Sequence, residues 1–252
     1  MPDAPASAAV TYASYLKVDE LLALQQPRSE GPEHDEMLFI VIHQVYELWF
    51  KELLHEFDRV RRLLEDDEPH RAQHTLKRIL TILKVMVAQL DILETMTPLE
   101  FFSFRLRLEA ASGFQSDQFR QIEFLLGVKS EQAIQRFPEG SRARMALERR
   151  YQEPPLWDAF LHYLAREGYD VSGNVQPILI DVYRKDTKNA ELCERLVDLD
   201  EGLQEWRYRH AKMVERTIGV KPGTGGSAGA AYLRETVGRP IFPDLWAIRS
   251  QL

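Results

Sequence analysis

One cysteine, Cys193, stands in 252 residues, so no intrachain disulfide framework can form. That scarcity suits a reducing compartment, and the cytoplasm is the expected location. No charge-free run approaches the roughly 20 apolar residues that cross a bilayer as a helix, so no membrane span is expected. The opening MPDAPASAAVTY lacks both a basic stretch and an apolar stretch, and no secretory signal is expected there. Positive charge is also short: 32 Lys and Arg stand against 39 Asp and Glu, a formal net charge of −7. Basic runs such as RARMALERR are diluted by acidic neighbours, which argues against nucleic acid as a partner. Sustained alternation of apolar and polar residues is missing, and QPILIDVY is the only strand-like run. No internal repeat or low-complexity linker divides the chain. These absences leave one all-α domain over residues 1–252, whose 44% hydrophobic content suffices for a sizeable core.

What the chain does have is helical periodicity. From Asp35 to about Leu64, apolar residues 38, 42, 45, 49, 53 and 57 recur every three or four positions, which predicts one long helix. After Pro69 the series Leu76, Leu80, Leu83, Val87, Leu90 and Leu93 repeats the pattern. TPLE at 97–100 combines an N-cap Thr, Pro at the first helical position and Glu at the third, so a helix should start there. SGFQ at 112–115 is a second possible capping box, followed by a helical run ending near Gly127. SRARMALERRYQ and PPLWDAFLHYLAREG fit two further helices, and a second long one runs from about Ala190 to Ile218. GVKPGTGGSAGAAYL then gathers five of the 13 glycines into eleven residues, a loop with special backbone needs.

On the first long helix, residues 39, 43, 46 and 50 share a face, so His43 sits among Phe39, Tyr46 and Phe50. Alone it reads first as a hydrogen-bonded core histidine. The second long helix carries the stripe Leu192, Leu196, Leu199, Leu203, Trp206, His210 and Met213, which places His210 at a core position too. Two imidazoles on apolar faces of two long helices must be paired or bound, and helical bundles hold cofactors between facing helices. Haem fits two isolated histidines better than zinc, which would need a third or fourth ligand. His70 and His74 have i, i+4 spacing but lie in a polar helix start, and HEFDR at 55 lacks the second histidine of a metalloprotease motif. GTGGSA at 223–228 matches a dinucleotide fingerprint in letters only, because it follows a helix and Pro222 instead of a strand. In FFSFRLRLE, Phe101 and Arg105 are i and i+4 and share a face; the arginine either packs by its stem or clamps a carboxylate.

Four stretches carry a resemblance: SYLKVDELLALQQPRSEGPEHDEMLFIVIHQVYELWFKELLHE, ASGFQSDQFRQIEFLLG, WRYRHAKMVERTIG, and GTGGSAGAAYL followed by FPDLWAIR. In this order, over about Tyr12 to Arg249, they resemble the tryptophan 2,3-dioxygenase family. The resemblance implies an all-α single-domain bundle of the tryptophan/indoleamine dioxygenase kind. It would hold one haem b per subunit between long helices, in a homotetramer built as a dimer of dimers. The implied reaction inserts both atoms of O2 across the indole C2–C3 bond of L-tryptophan, giving N-formyl-L-kynurenine, the first step of the kynurenine pathway.

By the same resemblance His210 is the proximal ligand of the haem iron, and His43 is the distal histidine that hydrogen-bonds the indole N–H. Arg105 corresponds to the arginine that holds the substrate carboxylate, and Thr224 to the threonine at the amino-acid end. Phe39 and Phe101 correspond to aromatic walls of the indole pocket, with Ser112 beside it. Tyr12, Tyr15 and Leu16 correspond to an N-terminal arm, residues 1–16 or so, that a neighbouring subunit contributes. Such roles agree with physics: only a five-coordinate iron leaves room for O2, so His43 should stand off, neutral and unligated. Its task would be positioning, because an indole N–H is too weak an acid for a free imidazole to remove easily. Ile42 stands where family members usually have a polar residue, which would dry that side, and Phe101 where some have tyrosine. Two other readings remain: a related haem monooxygenase forming a 2-oxindole, and a haem sensor without turnover.

Overall fold

The computed structural model describes residues 9–31, 33–109, 111–224 and 229–252. Two short helices, α1 (Tyr12–Leu16) and α2 (Val18–Leu22), lead to α3 (Asp35–Glu65) and α4 (Pro69–Leu93). Then come α5 (Pro98–Phe104), α6 (Asp117–Leu125), α7 (Glu131–Gln135), α8 (Arg142–Gln152), α9 (Leu156–Arg166) and α10 (Gln176–Lys185). The chain closes with α11 (Thr187–Ile218), α12 (Ala230–Thr236) and α13 (Pro243–Ala247). No strand occurs among the described residues, so the all-α expectation stands.

The three long helices form the frame, with α4 packed against both α3 and α11. Their buried faces follow the apolar stripes: Val60 on α3, Leu76 and Ile79 on α4, and Leu192 on α11 are wholly buried. Each such side chain is worth about 1.5–3 kcal/mol of transfer free energy. Polar ties fix the register. Tyr46 Oη donates to the Met86 carbonyl at 2.5 Å, and Arg209 on α11 pairs with Asp91 on α4 at 2.5 Å. On the far side of α3, Arg150 of α8 holds both Asp58 carboxylate oxygens at 2.6 and 2.9 Å.

Fully buried Asp200 fastens the C-terminal segment to α11. Its Oδ2 accepts from the Ile241 and Phe242 amides at 2.8 and 2.9 Å and from Trp246 Nε1 at 2.9 Å, while Oδ1 accepts from Gln204 at 2.8 Å.

Local expectations meet mixed outcomes. TPLE does open α5: Thr97 Oγ1 accepts from the Glu100 amide, and the Glu100 carboxylate accepts from the Thr97 amide. SGFQ forms its capping box as well, but around a single 3-10 turn, Gly113–Gln115, and the true helix start is Ser116 capping α6. α11 begins earlier than Ala190, at Thr187, because Asp186 caps it through the Asn189 amide. QPILIDVY is not a strand. It is α10, with Pro177 in the first turn and Leu179 and Val182 buried at helical spacing.

Candidate functional site

A cavity of about 640 Å³ opens between α3, α5, α11, α12 and the segment 111–120. Phe39 and His43 enter it from α3, Phe101 and Arg105 from α5 and the turn after it, and Trp206, Arg207 and His210 from α11. Ser112 and Thr224 line it too, so seven of the ten residues singled out in the sequence meet at one place. Tyr12, Tyr15 and Leu16 do not. They are exposed on α1, which buries none of its residues within this chain.

His43 is held by its own helix. Its Nδ1 lies 2.7 Å from the Phe39 carbonyl oxygen one turn back, an atom that can only accept, so Nδ1 carries the proton and donates. Nε2 is therefore left as a lone-pair acceptor. The ring is open by area, but the surface it shows faces the cavity, so the core reading fails. Burial of the charged form draws its pKa below the usual histidine value, against weaker pulls from the Phe39 carbonyl and Glu47, and the ring is neutral at pH 7. The Phe39 ring lies 4.0 Å from the His43 ring and 5.9 Å from Phe101, giving a continuous aromatic wall. Ile42 adds a nonpolar surface to the same cavity.

His210 projects from α11 with no hydrogen bond from its side chain to protein among the described residues. Trp206, one turn earlier, stacks on it with an interplanar angle of 8° and a centroid separation of 5.2 Å. Burial, and secondarily the charge on His43, drives the His210 pKa down to about 4. It is a neutral base with a free lone pair, the form a metal-binding imidazole takes. Beside it, buried Arg207 donates to the Arg239 carbonyl at 3.2 Å and has no carboxylate within ion-pair distance among the described residues. Burial lowers its pKa despite Glu123 and Asp200 nearby. A buried guanidinium with no direct ion pair suits an acidic group entering the cavity.

Arg105 reaches the opposite rim. Its Nη2 donates to the Pro222 carbonyl at 2.5 Å, and its guanidinium lies 5.3 Å from the Phe102 ring centroid. Thr224 Oγ1 donates to the Ala111 carbonyl at 2.5 Å, and Ser112 Oγ accepts from the Phe114 amide at 3.3 Å. The glycine-rich loop is thus tied to the segment after α5 at two points; residues 225–228 lie outside the described ones. At its far end Gly229 has φ +60°, and a Cβ there would come within 2.7 Å of the Lys221 carbonyl oxygen. Only glycine fits.

Several of these features were not visible in sequence reasoning: the His43–Phe39 bond, the Trp206 stack and the burial of Arg207 beside the cavity. The i, i+4 spacings of Phe39 with His43 and of Trp206 with His210 were the available signals. Elsewhere, His55, His70 and His74 line a surface groove of about 360 Å³ with Arg59, Arg71 and Arg78. No group of three or more His, Cys, Asp or Glu is placed to hold a metal ion among the described residues. Among the described residues no helix is long and apolar enough to cross a membrane.

Comparison with known proteins identifies the family. The family model described as "Tryptophan 2,3-dioxygenase" matches residues 2–170 and 165–252. A tryptophan 2,3-dioxygenase of Herpetosiphon aurantiacus is 60% identical over 98% of this chain and 100% of its own length. One from Anaeromyxobacter sp. (strain K) is 55% identical over 98% and 97%, and one from Caulobacter vibrioides is 42% identical over 96% and 98%. By both measures the chain belongs to the tryptophan 2,3-dioxygenase family.

Proposed function

We propose that this chain is a haem-dependent dioxygenase that converts L-tryptophan and O2 to N-formyl-L-kynurenine. The observation that carries the reading is one cavity joining a neutral imidazole with a free acceptor, an aromatic wall, a guanidinium and a second imidazole whose nitrogens have no hydrogen bond to protein among the described residues. The names of relatives at 60% and 55% identity support the reaction. The cavity falls in the size range of cofactor and substrate sites, about 300–1,000 Å³.

The residues fit haem b. His210 would supply the nitrogen that ligates the iron, and Arg207, which has no direct ion pair among the described residues, would suit the acidic groups of the haem. When bound, one haem per chain supplies the iron that activates O2. Everything else falls to the chain. His43 Nε2 accepts the indole N–H and so fixes the ring plane, while Phe39 and Phe101 enclose the indole and exclude water. Arg105 keeps N–H donors beyond the one given to Pro222 and clamps the carboxylate. Thr224 has spent its proton on Ala111, so its oxygen accepts from the substrate ammonium. Two anchors at the amino-acid end and one at the indole nitrogen hold C2 and C3 in a single orientation, which is where binding energy becomes rate.

Exposed Tyr12, Tyr15 and Leu16 belong to an arm of residues 1–16 that we assign to the pocket of a neighbouring copy in a homotetramer. A cytoplasmic location belongs to the same proposal and rests on the single cysteine. The test is the product mass from L-tryptophan with haem-loaded, reduced protein under labelled O2. Two labelled atoms are expected; one labelled atom moves the chain to 2-oxindole formation, and no product would overturn the reading.

A further inference from the structure

Phe102 and Lys221 lie outside the cavity lining, yet they close a ring of contacts around Arg105. Lys221 Nζ sits 3.8 Å from the Phe102 centroid, and the Arg105 guanidinium sits 5.3 Å from the same ring. Arg105 in turn donates to the carbonyl of Pro222, the residue bonded to Lys221. Thus the two groups that hold the guanidinium, a ring on α5 and a carbonyl on the glycine-rich loop, are themselves held together by the lysine. The loop base is closely packed there, since Gly229 leaves no room for even a Cβ beside the Lys221 carbonyl.

We propose that Lys221 and Phe102 are positioning residues for the carboxylate clamp: the lysine–ring contact fixes the loop carbonyl and the ring against which Arg105 is set. The inference rests on the reading that Arg105 receives the substrate carboxylate. A long arginine side chain loses rotamer freedom when it binds, and one already held in place loses less, so the latch acts on affinity. Its influence is confined to ligands that carry a carboxylate, because it reaches the site only through Arg105. Lys221 also carries a positive charge, but that charge is turned to the ring face and stays off the cavity wall.

The experiment measures dissociation constants by calorimetry for L-tryptophan and for tryptamine, which lacks the carboxylate, on haem-loaded protein. The variants are Lys221→Met, Lys221→Arg, Phe102→Leu and the Lys221→Met/Phe102→Leu double. Lys221→Met and Phe102→Leu should each weaken L-tryptophan about two- to fivefold, the range of an exposed cation–π contact. The double variant should be little worse than either single one, Lys221→Arg should retain affinity, and tryptamine should bind all forms alike. An unmoved constant for L-tryptophan in Lys221→Met, or an equal loss for tryptamine, overturns the proposal, the second outcome marking a general loop effect. Wild-type protein that binds neither ligand would overturn the dioxygenase reading first and this one with it.

Discussion

Replacing Asp200 by alanine is the sharpest test of how the C-terminal segment is held behind the site. The carboxylate is wholly buried and its Oδ2 takes three N–H groups, from Ile241, Phe242 and Trp246. Alanine strands all three, and each buried donor left unmet costs about 1–3 kcal/mol. Trp246 is partly exposed, so its indole N–H can turn to water, and the two amides carry most of the loss. The expected destabilisation is about 4 kcal/mol, or roughly 10 °C in Tm for a chain of this size. Asparagine is the control. It keeps an oxygen for the three donors, and its amide can face a rotated Gln204 side chain, so only the charge-assisted share is lost, about 1–2 kcal/mol. Urea unfolding of the two variants with equal m-values would measure the difference. Alanine and asparagine variants of equal stability would refute the reasoning, because the donors would then not depend on that oxygen.

His210→Ala should purify with little haem and without the wild-type Soret band; unchanged haem content and spectrum would remove His210 as the proposed iron ligand. Arg105→Leu should weaken L-tryptophan by roughly 2–5 kcal/mol if it strands a desolvated carboxylate, and an unchanged Kd would make Arg105 a surface residue. Gly229→Ala forces a side chain against the Lys221 carbonyl at a backbone conformation suited to glycine, so tryptophan affinity should fall while Tm moves little. Equal affinity would mean that the loop base yields easily. Deleting residues 1–16 should impair turnover in the assembled protein, and a fully active truncation would sink the shared-arm proposal.

The three long helices were legible because their apolar stripes are long and their partners lie on the same face at the same period. So was the clustering of Phe101 with Arg105, since i, i+4 residues meet whatever the tertiary context. α10 was hidden by Ile178, Leu179 and Ile180, which read as strand until Leu179 and Val182 find a core on one helical face. The Asp200 clamp was hidden by distance along the chain, its amide partners being 41 and 42 residues away. His43 showed its place in the sequence but not its tautomer, which depends on a single carbonyl. Tyr12, Tyr15 and Leu16 depart from this chain's cavity for a reason no single chain can express, since their proposed partner is another copy.

That carbonyl has a consequence for what the site can become. Histidines that take protons in catalysis are commonly backed by a carboxylate, whose negative charge welcomes the imidazolium. His43 is backed by a neutral peptide oxygen of its own helix, which fixes the ring as firmly but offers no counter-ion. Orientation and basicity are thereby largely separated: the helix backbone supplies the first, and its pull on the second is outweighed by burial. A single carboxylate reaching Nδ1 would join them again, and would turn a residue that holds a substrate still into one that reacts with it.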